Sequence, residues 1–329
     1  YGTLVVAVPA LSFGARTAVT VIVASVAVEA AVLAGRLRDL RRRGLLQRPR
    51  LPPVLGEALR YGLPLAAAGS SRFLLDYGDR FVIERLLGLE AVAAYTVPSD
   101  FLGKLVDFVS LPMQLAAVPV LYRLWSEAGR SEAGRAASSV LSHTLALLVP
   151  VGGLYLLFDE ELVVALASAR YRGAGELTPY ILPGSLLAGI NFVTVVGMTI
   201  GRQTVRVALC VLGAAVLNFA LNLVLVPLWG LAGAGVATTS AYAALVGANL
   251  LGSWQVIDLR LRLRPVVNAA FATAVTVAVA AQADLLAPAT PAGLLLTVAT
   301  MAAGALALHA LLDVELRAML RRWQGRAGA

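Results

Sequence analysis

The sequence has one cysteine, two histidines and one lysine, and each scarcity removes a class of function. Cys210 has no second thiol for an internal disulfide and lies within an apolar run. His143 and His309 are far apart and fit neither Glu-x-x-His nor His-x-x-x-His spacing, so neither a metal site nor a cofactor is expected. Charged residues make up only 14% of the chain against 59% hydrophobic, at a mean hydropathy of +0.81. One water-soluble core cannot hide that much apolar surface, so lipid is the solvent. Strand-type alternation is missing as well, which excludes a transmembrane β-barrel. The expected fold is all-α, a polytopic transmembrane helical bundle, because helices satisfy their own backbone hydrogen bonds in lipid.

What the sequence does have is a series of apolar runs of about 20 residues, each long enough to cross roughly 30 Å of hydrocarbon as a helix. Nine are legible, at 15–35, 60–84, 91–122, 136–158, 177–200, 204–226, 230–255, 265–285 and 291–312, with a stub at 3–11 that resembles the end of a tenth. The chain opens on Tyr1 inside a hydrophobic segment, with no basic stretch or cleavage site ahead of it, and reads as a fragment.

The net charge of +8 raises the question of nucleic acid, and the placement of the arginines answers it. Segments 36–60, 123–135, 202–206, 260–264 and 317–326 hold 20 of the 27 basic residues. These are alternate connections between runs. The intervening loops hold only Arg85, Arg170 and Arg172. The positive-inside rule makes the first set cytoplasmic, carboxy terminus included, in a multi-pass protein of the cytoplasmic (inner) membrane. Arginines that follow helix parity without interleaved aromatics are not a nucleic-acid face.

The longest hydrophilic connection, Arg36 to Glu57, contains Arg41, Arg42 and Arg43 and the breakers Pro49, Pro52 and Pro53, and reads as an interdomain linker. A faint repeat flanks it. Val8-Pro9, Gly14-Ala15 and Leu37-Arg38-Asp39 on one side match Val226-Pro227, Gly233-Ala234 and Ile257-Asp258 on the other, with 30 and 31 residues from Pro to Asp. The expected organisation is two six-helix lobes related by this repeat, the first mostly missing, plus an appended helix pair. Residues 1–35 end the amino-terminal lobe and 36–58 are a cytoplasmic linker. Residues 59–256 form the carboxy-terminal lobe, 257–312 the appended pair and 313–329 a cytoplasmic amphipathic tail. Gly213, Ala214, Gly233, Gly235, Ser240, Ala244 and Gly247 give helices 204–226 and 230–255 small faces for close packing.

Leu59-Arg60-Tyr61-Gly62-Leu63-Pro64, Tyr77-Gly78-Asp79-Arg80 and Leu87-Gly88-Leu89-Glu90-Ala91-Val92 with Tyr95 resemble the first two helices of the carboxy-terminal bundle of oligosaccharide flippases. That family belongs to the superfamily that also contains lipid II flippases and multidrug and toxin extruders. Gly201-Arg202, Asn218, Asn222, Val226-Pro227, Gly230 and Gly233-Ala234-Gly235 are similar to the eleventh and twelfth spans of the oligosaccharide flippases. The resemblance covers about residues 55–255 and departs from the pattern at Ala94, where the family has Gly. It implies translocation of an isoprenoid-diphosphate-linked oligosaccharide between leaflets by alternating access, for cell-surface polysaccharide synthesis, with membrane lipids as the surroundings and a proton or sodium ion as the coupling partner.

Charge inside a membrane is costly, so its positions point to function. Arg72, Asp76, Asp79 and Arg80 fall at i, i+4, i+7 and i+8, on one third of a helix circumference. Asp100, Lys104, Asp107 and Gln114 make a comparable stripe on the next helix. At 1.5 Å per residue, Arg72 and Lys104 each lie about 20 Å from one end of their helices, near mid-membrane. Two readings stay open. In one, Arg72/Asp76, Asp76/Arg80 and Lys104 with Asp107 or Asp100 are self-neutralising pairs that stiffen the bundle. In the other, Arg72, Lys104 and Gln114 bind a diphosphate while Asp76, Asp79, Arg80 and Asp107 couple an ion or gate the path. Asn191, Asn218 and Asn222 read as amides that join helices. Glu29 either snorkels or takes part in coupling. Pro98, Pro112 and Pro119 are expected to break the 91–122 helix, and Leu162, Val163 and Leu166 to lie along a membrane surface.

A membrane glycosyltransferase or ligase would need a large extramembrane domain or a clustered acid/base site, and neither is legible, so no enzyme is expected. A multidrug antiporter, a lipid II flippase and a non-transporting membrane scaffold remain as alternatives to an oligosaccharide flippase.

Overall fold

The computed structural model describes residues 34–35, 38–39, 42, 54–166, 173–282 and 291–312. The chain divides into two units, Tyr1–Leu59 and Arg60–Ala329. In the first, residues 34–35, 38–39, 42 and 54–59 are helical. The amino-terminal half of the repeat, Glu29, much of the linker and the carboxy-terminal tail lie outside the described residues.

The described residues of the second unit are mostly helical, with short irregular connections such as 201–203 and 255–262 and no strand among them. Helix α1, Val54–Leu87, enters it from the first unit; α2 is Leu89–Leu166, α3 Thr178–Thr194, α4 Val196–Ile200, α5 Thr204–Trp254, α6 Leu263–Gln282 and α7 Pro291–Leu312. A straight α2 of 78 residues would run about 117 Å, several times a bilayer. It does not run straight. Gly129 (φ 79°, ψ −168°) separates a limb at 89–128 from one at 130–166, and Gly230 (φ 60°, ψ −138°) divides α5 in the same way. Both reversals use left-handed backbone that glycine adopts without a Cβ clash. The eight runs expected from residue 60 onward therefore all appear as helical limbs or helices.

The expected breaks at Pro98, Pro112 and Pro119 do not occur. All three sit inside α2, whose non-helical backbone is at Gly129 and Phe158. Proline already has a helical φ, so its missing N–H and ring bend a helix without leaving helical dihedrals, whereas a reversal needs positive φ.

Helix α2 packs against α3, α6 and α7, while α3 and α4 pack against α5, and α6 against α7. Tyr155, Phe158, Leu102, Leu121 and Leu148 anchor the larger core. A smaller one joins Leu75 of α1, Met198 of α4 and Val207, Val211 and Leu245 from both limbs of α5. Leu162 is buried in the larger core and Val163 is buried as well, rather than both lying along a membrane surface, while the Leu166 side chain lies outside the description. Large apolar side chains also lie on the outside: Phe108 is 83% exposed, Leu228 68% and Leu209 62%. Such a surface is stable only against lipid.

Four described segments are long and apolar enough to cross a membrane, Leu89–Ala165, Gly175–Ile200, Thr204–Trp254 and Leu263–Ala281, and Leu296–Leu312 is a shorter apolar helix. Helix α1, with 34 residues, has the length but carries the charged stripe. The chain is a multi-pass α-helical membrane protein.

The small residues of α5 divide into two groups. Gly233 and Gly235 meet close neighbours, whereas Gly213 and Gly247 face open space. A Cβ on Gly233 would lie 2.2 Å from the Leu225 carbonyl oxygen, across the Gly230 reversal. Gly233→Ala is expected to cost about 1–3 kcal/mol, the usual penalty of overpacking, and to lower the melting temperature in detergent, while Gly213→Ala leaves it unchanged. Equal melting of the two variants would contradict this packing.

Candidate functional site

Helix spacing alone places Arg72, Asp76, Asp79 and Arg80 on one face of α1; packing determines what they meet. That face is turned toward the first limb of α2 and the second limb of α5. Arg72 Nε donates to both oxygens of Asp76, at 3.1 and 2.9 Å. Asp76 Oδ1 also accepts a hydrogen bond from the Tyr242 hydroxyl of α5, and the Arg72 guanidinium lies 5.1 Å from the Tyr242 ring centroid. A cation over an aromatic face and a shared carboxylate make the three side chains one cluster. The bonds to Asp76 use Nε only. Among the described residues no acceptor takes the two Nη groups, and the side chains of Arg72 and Asp76 are 34% and 32% exposed.

One helical turn further on, Asp79 is 3% exposed. Its Oδ1 accepts the Arg80 backbone N–H at 2.8 Å, and its Oδ2 accepts the Thr238 hydroxyl at 3.4 Å. Thr238 Oγ1 in turn accepts Asn218 Nδ2 at 3.0 Å, and Asn222 donates to the backbone and side-chain oxygens of Asn218. The buried Tyr95 side chain of α2 lies beside Asp79 and Thr238. A carboxylate at this depth is tolerated because donors from α1 and α5 converge on it.

Arg80 does not pair with Asp76. Its Nη2 reaches Asp100 Oδ1 of α2 at 2.5 Å, and its guanidinium lies 4.4 Å from the Tyr77 ring centroid. Asp76 sits on the Arg72 side of the stripe and is already occupied, whereas Asp100 faces Arg80 across the helix interface. Lys104 pairs with Asp107 at 3.6 Å rather than with Asp100, and both side chains are two-thirds exposed. Gln114 is exposed on α2 and hydrogen-bonds to none of the groups above.

Two of the three expected amides join helices: Asn249 Nδ2 donates to Asn191 Oδ1 at 2.9 Å, and the Asn218–Thr238 bond ties together the two limbs of α5, whereas Asn222 bonds to Asn218 on its own limb. Sequence reading missed Tyr242 and Thr238. The available signal was Tyr242 as the lone aromatic of an Ala- and Gly-rich span before Trp254. A hydroxyl in such a span has to find a buried partner.

The fold and site define a class, a helical membrane protein with a charged seam between α1, α2 and α5. The chain is similar to the uncharacterized membrane protein MJ1068 of Methanocaldococcus jannaschii, at 21% identity over 183 residues, which are 55% of this chain and 36% of that protein. The match thus spans about a third of the length of that relative. No family model matches the chain, and no solved structure does.

Proposed function

We propose that the chain is the carboxy-terminal part of a transporter that flips an isoprenoid-diphosphate-linked oligosaccharide across the cytoplasmic membrane by alternating access, and that it is not an enzyme. The observation that carries the proposal is the Arg72 guanidinium, oriented by Asp76 and Tyr242 through Nε and the ring face while its two Nη groups have no protein acceptor among the described residues. A planar fork held this way suits the oxygens of a diphosphate. Lys104, on the adjoining stripe, adds a point charge, and Gln114 a polar contact to the sugar. Asp76, Asp79, Arg80 and Asp107 serve coupling by a proton or sodium ion, or gating, because the Asp79 cluster and the Arg80–Asp100 pair both tie α1 to neighbouring helices that must separate during transport. The resemblance of residues 55–255 to oligosaccharide flippases supports the same reading.

The test is depletion of the complete parent protein in cells that make a lipid-linked surface sugar. Labelled sugar should then stay inaccessible to an impermeant lectin. Undiminished lectin labelling together with a loss of drug efflux would replace this reading with a multidrug antiporter.

The transport direction also requires the arginine-rich connections to be cytoplasmic. In a Cys210→Ala background, Arg43→Cys and Arg262→Cys are expected to resist an impermeant thiol reagent in intact cells, while Gly173→Cys is labelled. Labelling at position 262 from outside would invert the topology.

A further inference from the structure

Helices α3 and α4 are two parts of one span, separated by Val195 alone, whose dihedrals (φ −86°, ψ −13°) are still helical. No proline lies within three turns of the break. Its cause is a side chain from another helix. In a continuous helix the Thr194 carbonyl and the Met198 N–H, four residues apart, would pair with each other. Instead both bond to Ser253 on the second limb of α5, whose Oγ donates to the Thr194 carbonyl at 2.6 Å and accepts the Met198 N–H at 3.3 Å. Backbone bonding resumes with the Thr199 N–H on the Val195 carbonyl at 3.2 Å. A hydroxyl thus stands in the ladder as an extra rung, which bends a helix.

Two glycines admit it. A Cβ on Gly197 would lie 2.7 Å from Ser253 Cβ, and one on Gly252 would run into Met198 Sδ. Helix α3 is the fixed arm, because the same limb of α5 holds it at two heights: Thr239 donates to the Tyr180 carbonyl at 2.8 Å, and Asn249 to Asn191. Met198, on the other arm, packs in one buried cluster with Leu75 of α1 and Tyr242 of α5, so a change at the rung reaches the charged seam. With Ser253 inserted, all three groups are bonded. With Ser253 withdrawn, the Met198 N–H can close on the Thr194 carbonyl, and the serine hydroxyl can turn to the Asn249 carbonyl four residues back on its own helix. Two arrangements that leave no group unpaired differ little in free energy, which is the condition for a two-state element.

We propose that Ser253 is a removable rung and that α3 and α4 form a two-state hinge, bent while the hydroxyl bridges Thr194 and Met198 and straight when it leaves. The hinge does not depend on what the parent protein transports. The test is magnetic resonance on the full chain in detergent with isotopic nitrogen only at methionine, so that Met198 is one of four methionine amides, assigned by its loss in Met198→Leu. In the wild type the Met198 amide should exchange between two states on the microsecond to millisecond scale. Ser253→Ala removes the rung and lets the backbone close. That exchange should then vanish, the melting temperature should stay near the wild type, and the Met198 amide should take up deuterium about tenfold more slowly, the effect of one direct backbone hydrogen bond. Ser185→Ala, whose hydroxyl bonds only to the Ile181 carbonyl of its own helix, should change none of these. A fixed anchor gives the opposite result, because Ser253→Ala would strand the Thr194 carbonyl and the Met198 N–H. A sharp fall in melting, failure of that variant to fold, faster deuterium uptake at Met198, or a single Met198 state in the wild type would each overturn the proposal.

Discussion

Arg72→Ala in the complete parent protein is expected to weaken binding of an isoprenoid diphosphate by about 1.5–3 kcal/mol, the range for hydrogen bonds to charged groups, or roughly tenfold to a hundredfold. The guanidinium is held through Nε by Asp76 and over the Tyr242 ring, so it reaches a ligand in a fixed orientation. Arg72→Lys should restore only part of the affinity, because an ammonium gives a point charge where the fork gives two parallel donors. Asp76→Ala should also weaken binding, since it releases both Arg72 and the Tyr242 hydroxyl. A purely structural pair behaves differently. Either single variant would then lower the melting temperature, and the double variant would regain both melting and export. Binding and melting measured across the four proteins separate the two accounts, and recovery of export in Arg72→Ala/Asp76→Ala would assign the pair to stability alone.

The second large effect is expected at Asp79. Asp79→Leu takes the acceptor from the Thr238 hydroxyl and sets an apolar side chain among polar groups, at about 1–3 kcal/mol for the unsatisfied donor, so the variant should express poorly and melt early. Asp79→Asn keeps the shape and an acceptor oxygen and should fold. If Asp79 couples or gates transport, the asparagine variant melts near the wild type but exports little, because the exchangeable charge is gone. Wild-type export by Asp79→Asn would make the residue a helix anchor and nothing more.

The spans were legible from the sequence because lipid sets a minimum apolar length that each helix has to meet on its own. Partners were not. Periodicity gives neighbours along one helix, which found Arg72 with Asp76 and Lys104 with Asp107, but Arg80 with Asp100 depends on how α1 lies against α2. For the same reason Tyr242 and Thr238, on a helix over 150 residues away in sequence, could not be placed beside Asp76 and Asp79. Glycine behaved similarly. The composition marked α5 for close packing, yet only the backbone path distinguishes Gly233, pressed against Leu225, from Gly213, which faces open space. Proline misled because its frequency signals bending, while the reversal of α2 falls at a glycine in the arginine-rich connection.

If the seam between α1, α2 and α5 carries a diphosphate-linked sugar through the membrane, flipping in proteoliposomes shows it directly. The parent protein would be reconstituted with a fluorescent isoprenoid-diphosphate sugar in the inner leaflet, and the exposure of the label to an impermeant quencher would be followed in time. Steady exposure is expected with the wild type, and a rate at least about tenfold lower with Arg72→Ala at equal protein content, in line with one lost charged contact. The same rate for both proteins, or none above empty liposomes for the wild type, would contradict it.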